Sequence, residues 1–118
     1  MAYDELQAQR IRLCLGERGV KYAEKKMFSG ICFIVDDKMC CGTHIDKNTG
    51  QSLLLCRISE QQAEKSLEEP HVAPMNFTGK PMKGFIFVEE AGLETQKDLD
   101  KWIGLCLEYN PFAKKSRK

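Results

Sequence analysis

Residues 24–58 decide the fold, and they read EKKMFSGICFIVDDKMCCGTHIDKNTGQSLLLCRI. Short runs of β-branched, aromatic and aliphatic residues alternate here with three turn-forming groups, namely Ser29-Gly30, Asp36-Asp37 and Asn48-Thr49-Gly50. Such runs, separated by turn residues, are typical of antiparallel hairpins. We therefore predict a four-stranded antiparallel meander with strands at 24–28, 31–35, 39–45 and 52–58.

An amphipathic helix is predicted on each side of this meander. Residues 3–18 carry apolar side chains at helical spacings, namely Leu6, Ile11, Leu13, Cys14 and Leu15. Thr95 and Asp98 form a capping pair that opens a C-terminal helix, which Pro111 ends. Its apolar residues recur at three- and four-residue steps: Leu99, Trp102, Ile103, Cys106 and Tyr109. We expect both helices to pack against the sheet.

The segment between the meander and the last helix yields three further predictions. Ser59 and Gln62 form a capping-box pattern that opens a short helix through Leu67. Residues 71–83 contain two prolines and a glycine, so we predict an ordered loop there. Residues 85–88 are apolar and predict a fifth strand. The order α-β-β-β-β-α-β-α predicts a two-layer α+β fold, in which an antiparallel meander sheet packs against helices.

Length and composition indicate one soluble domain. The 118 residues are 42% hydrophobic and 30% charged, which is ordinary globular composition. We expect a single domain at 1–112 and a flexible basic tail at 113–118. The chain has no apolar run that could span a bilayer, and its N-terminus lacks the layout of a signal peptide. We therefore expect a cytoplasmic protein without a membrane partner, whose six cysteines are mostly buried thiols.

The basic residues are concentrated at the C-terminus. Four cations lie in the last five residues, namely Lys114, Lys115, Arg117 and Lys118. Because the net charge is +1, the preceding residues carry −3. Nucleic-acid affinity depends largely on neutralising phosphates, so any contact with DNA would depend on this tail. The alternative is that the tail is simply a soluble, frayed terminus.

Cysteine and histidine suggest a sensor as an alternative function. Side chains alternate along a strand, so Cys40 and Cys41 should point to opposite faces, with Cys40 and His44 on one face. No metal site is expected, because zinc ligands usually come as closely spaced cysteine pairs; Cys40 and His44 are the weak candidates. A metal- or thiol-based sensor at Cys40, Cys41 and His44 stays open, with Lys38 as the other cationic neighbour.

The sequence contains no recognisable catalytic constellation. It has neither the glycine pattern of a phosphate-binding loop nor that of a dinucleotide-binding turn. Its two histidines, His44 and His71, come from a predicted strand end and from the proline-containing loop, without an evident partner for nucleophilic catalysis. We expect neither an enzyme nor a cofactor.

Two stretches resemble the TfoX/Sxy N-terminal domain family. Residues 24–42 read EKKMFSGICFIVDDKMCCG, and residues 74–88 read PMNFTGKPMKGFIFV, which contains the pattern PM-x-FTG-x-PM-x-G-[FW]. The similarity extends from MAYDE at the N-terminus through the helix around Trp102. The resemblance implies a compact α+β fold and, for the longer founding members, regulation of natural competence genes alongside the cyclic-AMP receptor protein. We expect a stand-alone member that lacks the helical C-terminal domain of those regulators.

The family signature gives the candidate site residues. Its turn residues can shape a loop, and its methionines and aromatic residues can either anchor that loop on the sheet or bind a protein partner. The residues are Met27, Phe28, Gly30, Met75, Phe77, Gly79, Pro81, Met82 and Gly84. The leading hypothesis is a non-enzymatic regulatory or adaptor domain acting by protein–protein contact. Candidate partners are a transcription factor or an RNA polymerase component, and a homodimer is also compatible with the sequence.

Overall fold

The computed structural model describes residues 3–27, 30–47, 49–74 and 84–113, with only the backbone described for Met27. It contains three α-helices: α1 (Glu5–Glu17), α2 (Glu60–Ser66) and α3 (Gln96–Tyr109). The strands are β1 (Ala23–Met27), β2 (Gly30–Val35), β3 (Lys38–Ile45), β4 (Ser52–Arg57), β5 (Val72–Pro74) and β6 (Phe85–Val88). The α+β class is therefore confirmed, with short 3-10 turns at Glu90–Gly92 and Asn110–Phe112.

The strands form one antiparallel sheet in the order β1-β2-β3-β4-β6-β5. Its first four strands are the predicted meander. The tight turn from β2 to β3 uses Asp36 and Asp37, whose φ angles are 55° and 64°. Aspartate tolerates this left-handed conformation, which tight two-residue hairpins require.

One strand lies where a loop was predicted. Residues 71–83 were expected to contain no regular element, but β5 occupies Val72–Pro74 and pairs with β6, with Val72 opposite Val88. Within the described ranges, the sheet therefore has six strands instead of the predicted five. Pro74 fits because β5 is an edge strand, where a missing backbone N–H leaves the ladder intact. Three residues ending in proline give too weak a strand signal to detect in the sequence.

Each α-helix begins at a side-chain cap, and those at Ser59 and Thr95 confirm the predicted caps. The carboxylate of Asp4 accepts a hydrogen bond from the backbone N–H of Leu6 at 3.0 Å. The hydroxyl of Ser59 accepts one from Gln62 at 3.1 Å, and Thr95 forms a complete capping box with Asp98. These bonds satisfy N–H groups that a helix leaves open at its start. Among the described residues, no helix is long and apolar enough to cross a membrane.

The helices cover one face of the sheet. The helix-side core joins residues of all three helices to the inward-facing residues of β2, β3, β4 and β6, including Ile11, Phe33, Leu54, Ile86 and Ile103. A second cluster lies on the opposite face of the sheet and contains no helical residue: Cys32, Met39, Leu53, Leu55 and Phe87. We call it the outer-face cluster. The described residues therefore form two layers, with the helices packed on one face of the sheet.

Helix α1 presents only one of its two apolar stripes to the core. Ala8, Ile11 and Leu15 are fully buried, whereas Leu6 is 72% exposed and Leu13 is 53% exposed. The sequence pattern placed Leu6, Ile11, Leu13 and Leu15 at helical spacings but did not distinguish the buried side of the helix from the exposed side. The two exposed leucines lie on the side of α1 that faces away from the sheet.

Candidate functional site

Most residues of the predicted site lie outside the part of the chain that the structure describes. Among the signature residues, the backbone of Met27 and all of Gly30 and Gly84 are described. Outside the described ranges lie Phe28, Met75, Phe77, Gly79, Pro81 and Met82, and the tail residues Lys114, Lys115, Arg117 and Lys118. Their predicted roles in docking, loop anchoring or DNA contact stay predictions.

The two described signature glycines have structural roles. A Cβ on Gly30 would overlap the carbonyl oxygen of Thr43 and lie 2.5 Å from the Cβ of His44. Gly84 has a φ of 80°, and its carbonyl oxygen accepts a hydrogen bond from the N–H of Ile58 at 2.8 Å. Close strand approach and a left-handed backbone both favour glycine, so these positions serve the sheet and its entry turn.

A β-bulge changes the predicted arrangement of Cys40, Cys41 and His44. Phe33 pairs with Cys41 and Ile34 pairs with Met39, so Cys40 is an extra residue in β3. Cys40 and Cys41 consequently both belong to the helix-side core. His44 instead stacks on Phe87 of the outer-face cluster. The predictions that the two cysteines face apart and that Cys40 shares a face with His44 are both wrong.

Four cysteines meet between the sheet and α3. Cys40 and Cys41 lie on β3, Cys56 lies directly opposite Cys41 on β4, and Cys106 comes from α3. All four side chains are at most 1% exposed. We call this group the thiol cluster. The sequence pattern does not predict this cluster. Its members come from three separate elements, and the bulge in β3 changes which face Cys40 occupies relative to Cys41.

Hydrogen bonds within the thiol cluster favour the thiolate form of Cys40 over that of Cys41 or Cys106. Hydrogen bonds from the thiols of Cys106 and Cys41 lower the pKa of Cys40, against the opposing effect of burial. The same hydrogen bonds, with burial, raise the pKa of Cys41 and Cys106 well above the usual value. A thiolate accepts hydrogen bonds but cannot donate one, so Cys40 is the favoured acceptor of its neighbours' S–H groups.

The cationic neighbour proposed for these thiols is used elsewhere. The ammonium of Lys38 donates hydrogen bonds to the carbonyl oxygens of Asn110 and Pro111, each at 3.2 Å. It thereby ties the start of β3 to the end of α3. Within the described ranges, no group of three or more His, Cys, Asp or Glu side chains is arranged to hold a metal ion.

His44 lies in a largely apolar environment. Its ring stacks on Phe87 with a centroid distance of 5.0 Å and an interplanar angle of 29°. Burial lowers the pKa of His44, and the carboxylate of Asp46 opposes this effect more weakly. The neutral imidazole is therefore the favoured form in the folded protein.

The outer α1 face is the clearest exposed apolar feature of the described helices. It consists of Leu6, Gln9, Leu13 and Gly16, all exposed and spaced along one side of the helix. Arg12 lies beside it and donates two hydrogen bonds to the carboxylate of Glu24, at 2.7 and 3.0 Å. The face thus combines two exposed leucines with a polar margin, an arrangement found in protein interfaces.

A cleft of about 570 Å³ lies beside the start of α1, but its charged residues Arg10 and Glu90 have structural roles. Arg10 donates hydrogen bonds to the carbonyl oxygens of Leu93 and Thr95, at 2.6 and 3.1 Å. The carboxylate of Glu90 accepts one from the N–H of Ser52 at 2.6 Å. These bonds join α1 and β4 to the segment before α3, so the cleft is less suited to a ligand than its volume suggests.

Residues 16–109 match the sequence model of the TfoX N-terminal domain. The chain belongs to the TfoX N-terminal domain family. The match runs from the end of α1 to the end of α3, so this TfoX N-terminal domain includes the whole sheet and the thiol cluster. The predicted family resemblance is confirmed.

A solved structure has the same fold as this TfoX N-terminal domain. The crystal structure of a protein from Pseudomonas syringae superposes with a TM-score of 0.62 and is 14% identical. The match covers 87% of this chain and 97% of that one. At this identity the likeness establishes a shared fold only. A search of curated proteins found no match.

Proposed function

We propose that this TfoX N-terminal domain is a non-enzymatic regulatory or adaptor domain that acts by protein–protein contact in the cytoplasm. Its family membership supports the proposal, because the resemblance to the longer founding members implies transcription regulation alongside the cyclic-AMP receptor protein. The partners that fit this proposal are a transcription factor or an RNA polymerase component.

The observation that carries the proposal is the exposure of two leucines on one helix. Leu6 and Leu13 are one heptad apart on the outer α1 face and expose 72% and 53% of their surface. A single exposed leucine is common, but two on one stripe give a partner helix or groove a pair of apolar anchors. Gly16 continues the stripe and has open space around its Cα, which permits close approach of a partner.

The direct experiment measures binding of the purified domain to two purified probes, RNA polymerase holoenzyme and the cyclic-AMP receptor protein. The test variant carries Leu6→Ser and Leu13→Ser, which remove the apolar anchors without touching the core. We expect at least one probe to bind, with an affinity reduced about tenfold or more in the double variant, or about 1.4 kcal/mol.

The matched control is Phe112→Ser, which removes an apolar side chain that is 78% exposed after the end of α3. It should bind like the wild type. The proposal fails if neither probe binds, or if the double variant and the control bind equally well. Circular dichroism of all three proteins should be the same, since each substitution is at an exposed position.

DNA binding through residues 114–118 is a separate proposal that rests on the charge asymmetry of the chain. Four phosphate contacts would give a logarithmic salt dependence with a slope of about −3.6. Deleting residues 114–118 should then abolish affinity for duplex DNA. Affinity that survives both the deletion and high salt would exclude the tail as the binding element.

A further inference from the structure

The two edges of the sheet differ in how well they can pair with another strand. β1 and β5 are the edge strands, because the strand order is β1-β2-β3-β4-β6-β5. β5 has three residues and ends in Pro74, which lacks a backbone N–H, and both features blunt an edge. β1 has five residues, none of which is proline or glycine. Among the described strands, β1 is therefore the edge that is open to pairing.

The outward-pointing backbone groups of β1 belong to Glu24 and Lys26. Hydrogen-bonded and non-hydrogen-bonded pairs alternate along an antiparallel ladder, so one bonded pair fixes the pattern of its neighbours. The N–H of Asp46 donates to the carbonyl oxygen of Gln51 at 2.8 Å, directly beyond the β3–β4 ladder. Counting from this pair through the registers of β3 and β2 directs the backbone groups of every second residue of β1 towards β2. Those of Glu24 and Lys26 consequently point away from the sheet.

The side chains along this edge are accessible and charged. Residues 23–26 are all exposed. The carboxylate of Glu24 accepts hydrogen bonds from Arg12 of α1 at 2.7 and 3.0 Å, which fixes its position at the edge. Neither Lys25 nor Lys26 forms an ion pair with another described residue. β1 thus presents an oriented carboxylate and two lysines that are available for an ion pair.

Symmetry and charge select one register for pairing with a second copy. Two identical strands that continue a sheet pair antiparallel about a twofold axis perpendicular to the sheet, so paired residues lie on the same face. The symmetric registers that use the outward backbone groups place Glu24 opposite its own copy, Lys26 opposite its own copy, or Glu24 opposite Lys26 of the partner subunit. Like charges directly opposite each other are destabilising, and opposite charges are stabilising. The mixed Glu24–Lys26 register is therefore favoured.

We propose that two copies of this domain pair through β1 in the Glu24–Lys26 register and form a dimer with one continuous sheet. The N–H of Glu24 donates to the carbonyl oxygen of Lys26 of the partner subunit, and the N–H of Lys26 of the partner subunit donates to the carbonyl oxygen of Glu24. The twofold axis repeats these bonds and the ion pair. Because a carboxylate has several acceptor sites, Glu24 can bind this lysine while it keeps Arg12. Lys25 lies opposite its own copy, and this like-charge contact weakens the dimer.

This dimer places both α1 helices on the same side of the joined sheet. The reason is that a twofold axis perpendicular to the sheet does not exchange its faces. Leu6 and Leu13 lie on the side of α1 that faces away from the sheet, so both outer α1 faces stay exposed. A symmetric partner could then contact two equivalent faces; only this consequence depends on the proposed function, whereas the dimer itself does not.

The first experiment measures the mean mass of the untagged full chain by sedimentation equilibrium in low salt at neutral pH. A short strand pair buries little surface, so the concentration series should extend from about 10 μM to about 1 mM. We expect the mean mass to rise from 13.5 kDa towards twice this value across the series. A monomeric mass at every concentration would overturn the proposal.

Two charge variants test the register. Lys26→Glu and Glu24→Lys each leave only like charges opposite each other, so each variant alone should be monomeric where the wild type dimerises. In an equimolar mixture every opposing pair is complementary again, and the dimer should return. Mixing cannot repair a folding defect, so this recovery distinguishes pairing from damage to the fold. The proposal fails if either variant alone dimerises like the wild type, or if the mixture remains monomeric.

A third variant should strengthen the dimer. Lys25→Thr removes the like-charge contact at the twofold axis and should lower the dissociation constant by up to about fivefold. The matched control is Lys21→Thr, which removes the same charge from an exposed residue before β1 and should leave the dissociation constant unchanged. Equal tightening by both variants would contradict pairing through β1. Loss of the dimer in the Leu6→Ser and Leu13→Ser double variant would also overturn it, because α1 would then be the interface.

Discussion

Gly30 is a position where one added carbon should disturb the sheet. It pairs with both Met27 and His44, and a Cβ there would overlap the carbonyl oxygen of Thr43. Gly30→Ala should therefore destabilise the domain by about 1–3 kcal/mol, as overpacking usually does. The measurement is the midpoint of urea unfolding at constant m-value.

The matched control for Gly30→Ala is Gly16→Ala. Gly16 lies in the last turn of α1, and a methyl group added there would meet nothing within 4 Å, so alanine should be neutral or stabilising by up to about 1 kcal/mol. If both variants changed stability equally, the close strand approach at Gly30 would not be the cause.

His44 should make the domain less stable in mild acid. Its folded pKa lies below the unfolded value of about 6.5, so the folded state binds fewer protons. The stabilising contribution is complete above the unfolded pKa and is lost as the pH falls through the folded pKa. His44→Phe keeps an aromatic ring against Phe87 and should flatten the decline of unfolding free energy below pH 6.5, as measured by urea titration at several pH values. An unchanged slope in His44→Phe would mean that other groups govern acid sensitivity.

The thiol cluster shows why the face of the sheet that a side chain occupies is hard to predict from the sequence. Cys32 and Phe33 follow strand alternation and lie on opposite faces of the sheet, because each step depends only on the local backbone. Alternation fails at Cys40, where the bulge adds a residue to β3 relative to β2. A bulge depends on how two strands match each other, and a single strand's sequence carries little information about that.

At the scale of elements, the sequence features that correctly predicted structure involved residues close together in the chain. The capping pairs at Ser59 and Thr95 involve residues three positions apart, and both helix starts were found from them. β5 was missed because its pairing with β6 is a contact between segments. The inner and outer stripes of α1 could not be separated either, since both contain apolar residues and only the packing on the sheet distinguishes them.

The two stripes of α1 should differ sharply in their contribution to stability. Ile11 is fully buried in the helix-side core, so Ile11→Ala should cost about 2–5 kcal/mol. Leu13 is 53% exposed, so Leu13→Ala should change the free energy of unfolding by no more than about 0.5 kcal/mol. Both values can be measured by denaturant unfolding. Equal costs would contradict the orientation of α1.

At the scale of the whole molecule, the fold and the family were accessible from the sequence, whereas the surface proposed here for partner contact was not. Alternating apolar runs and turns specified the meander, and the signature in residues 74–85 specified the family. The outer α1 face was not found, because exposed and buried leucines look alike in a sequence. A protein–protein contact also depends on the surfaces of both partners, and the sequence of one partner contains no information about the other.

The most direct test of the proposed function is site-specific photo-crosslinking in living cells. Gln9 lies between the two leucines of the outer α1 face, and replacing it with p-benzoylphenylalanine should yield an adduct containing a transcription factor or an RNA polymerase subunit. The same replacement at Gln61, which is exposed on α2, should yield none. Equal adducts from both positions, an adduct with a second copy of this chain alone, or no adduct at Gln9 would contradict a regulatory contact through α1.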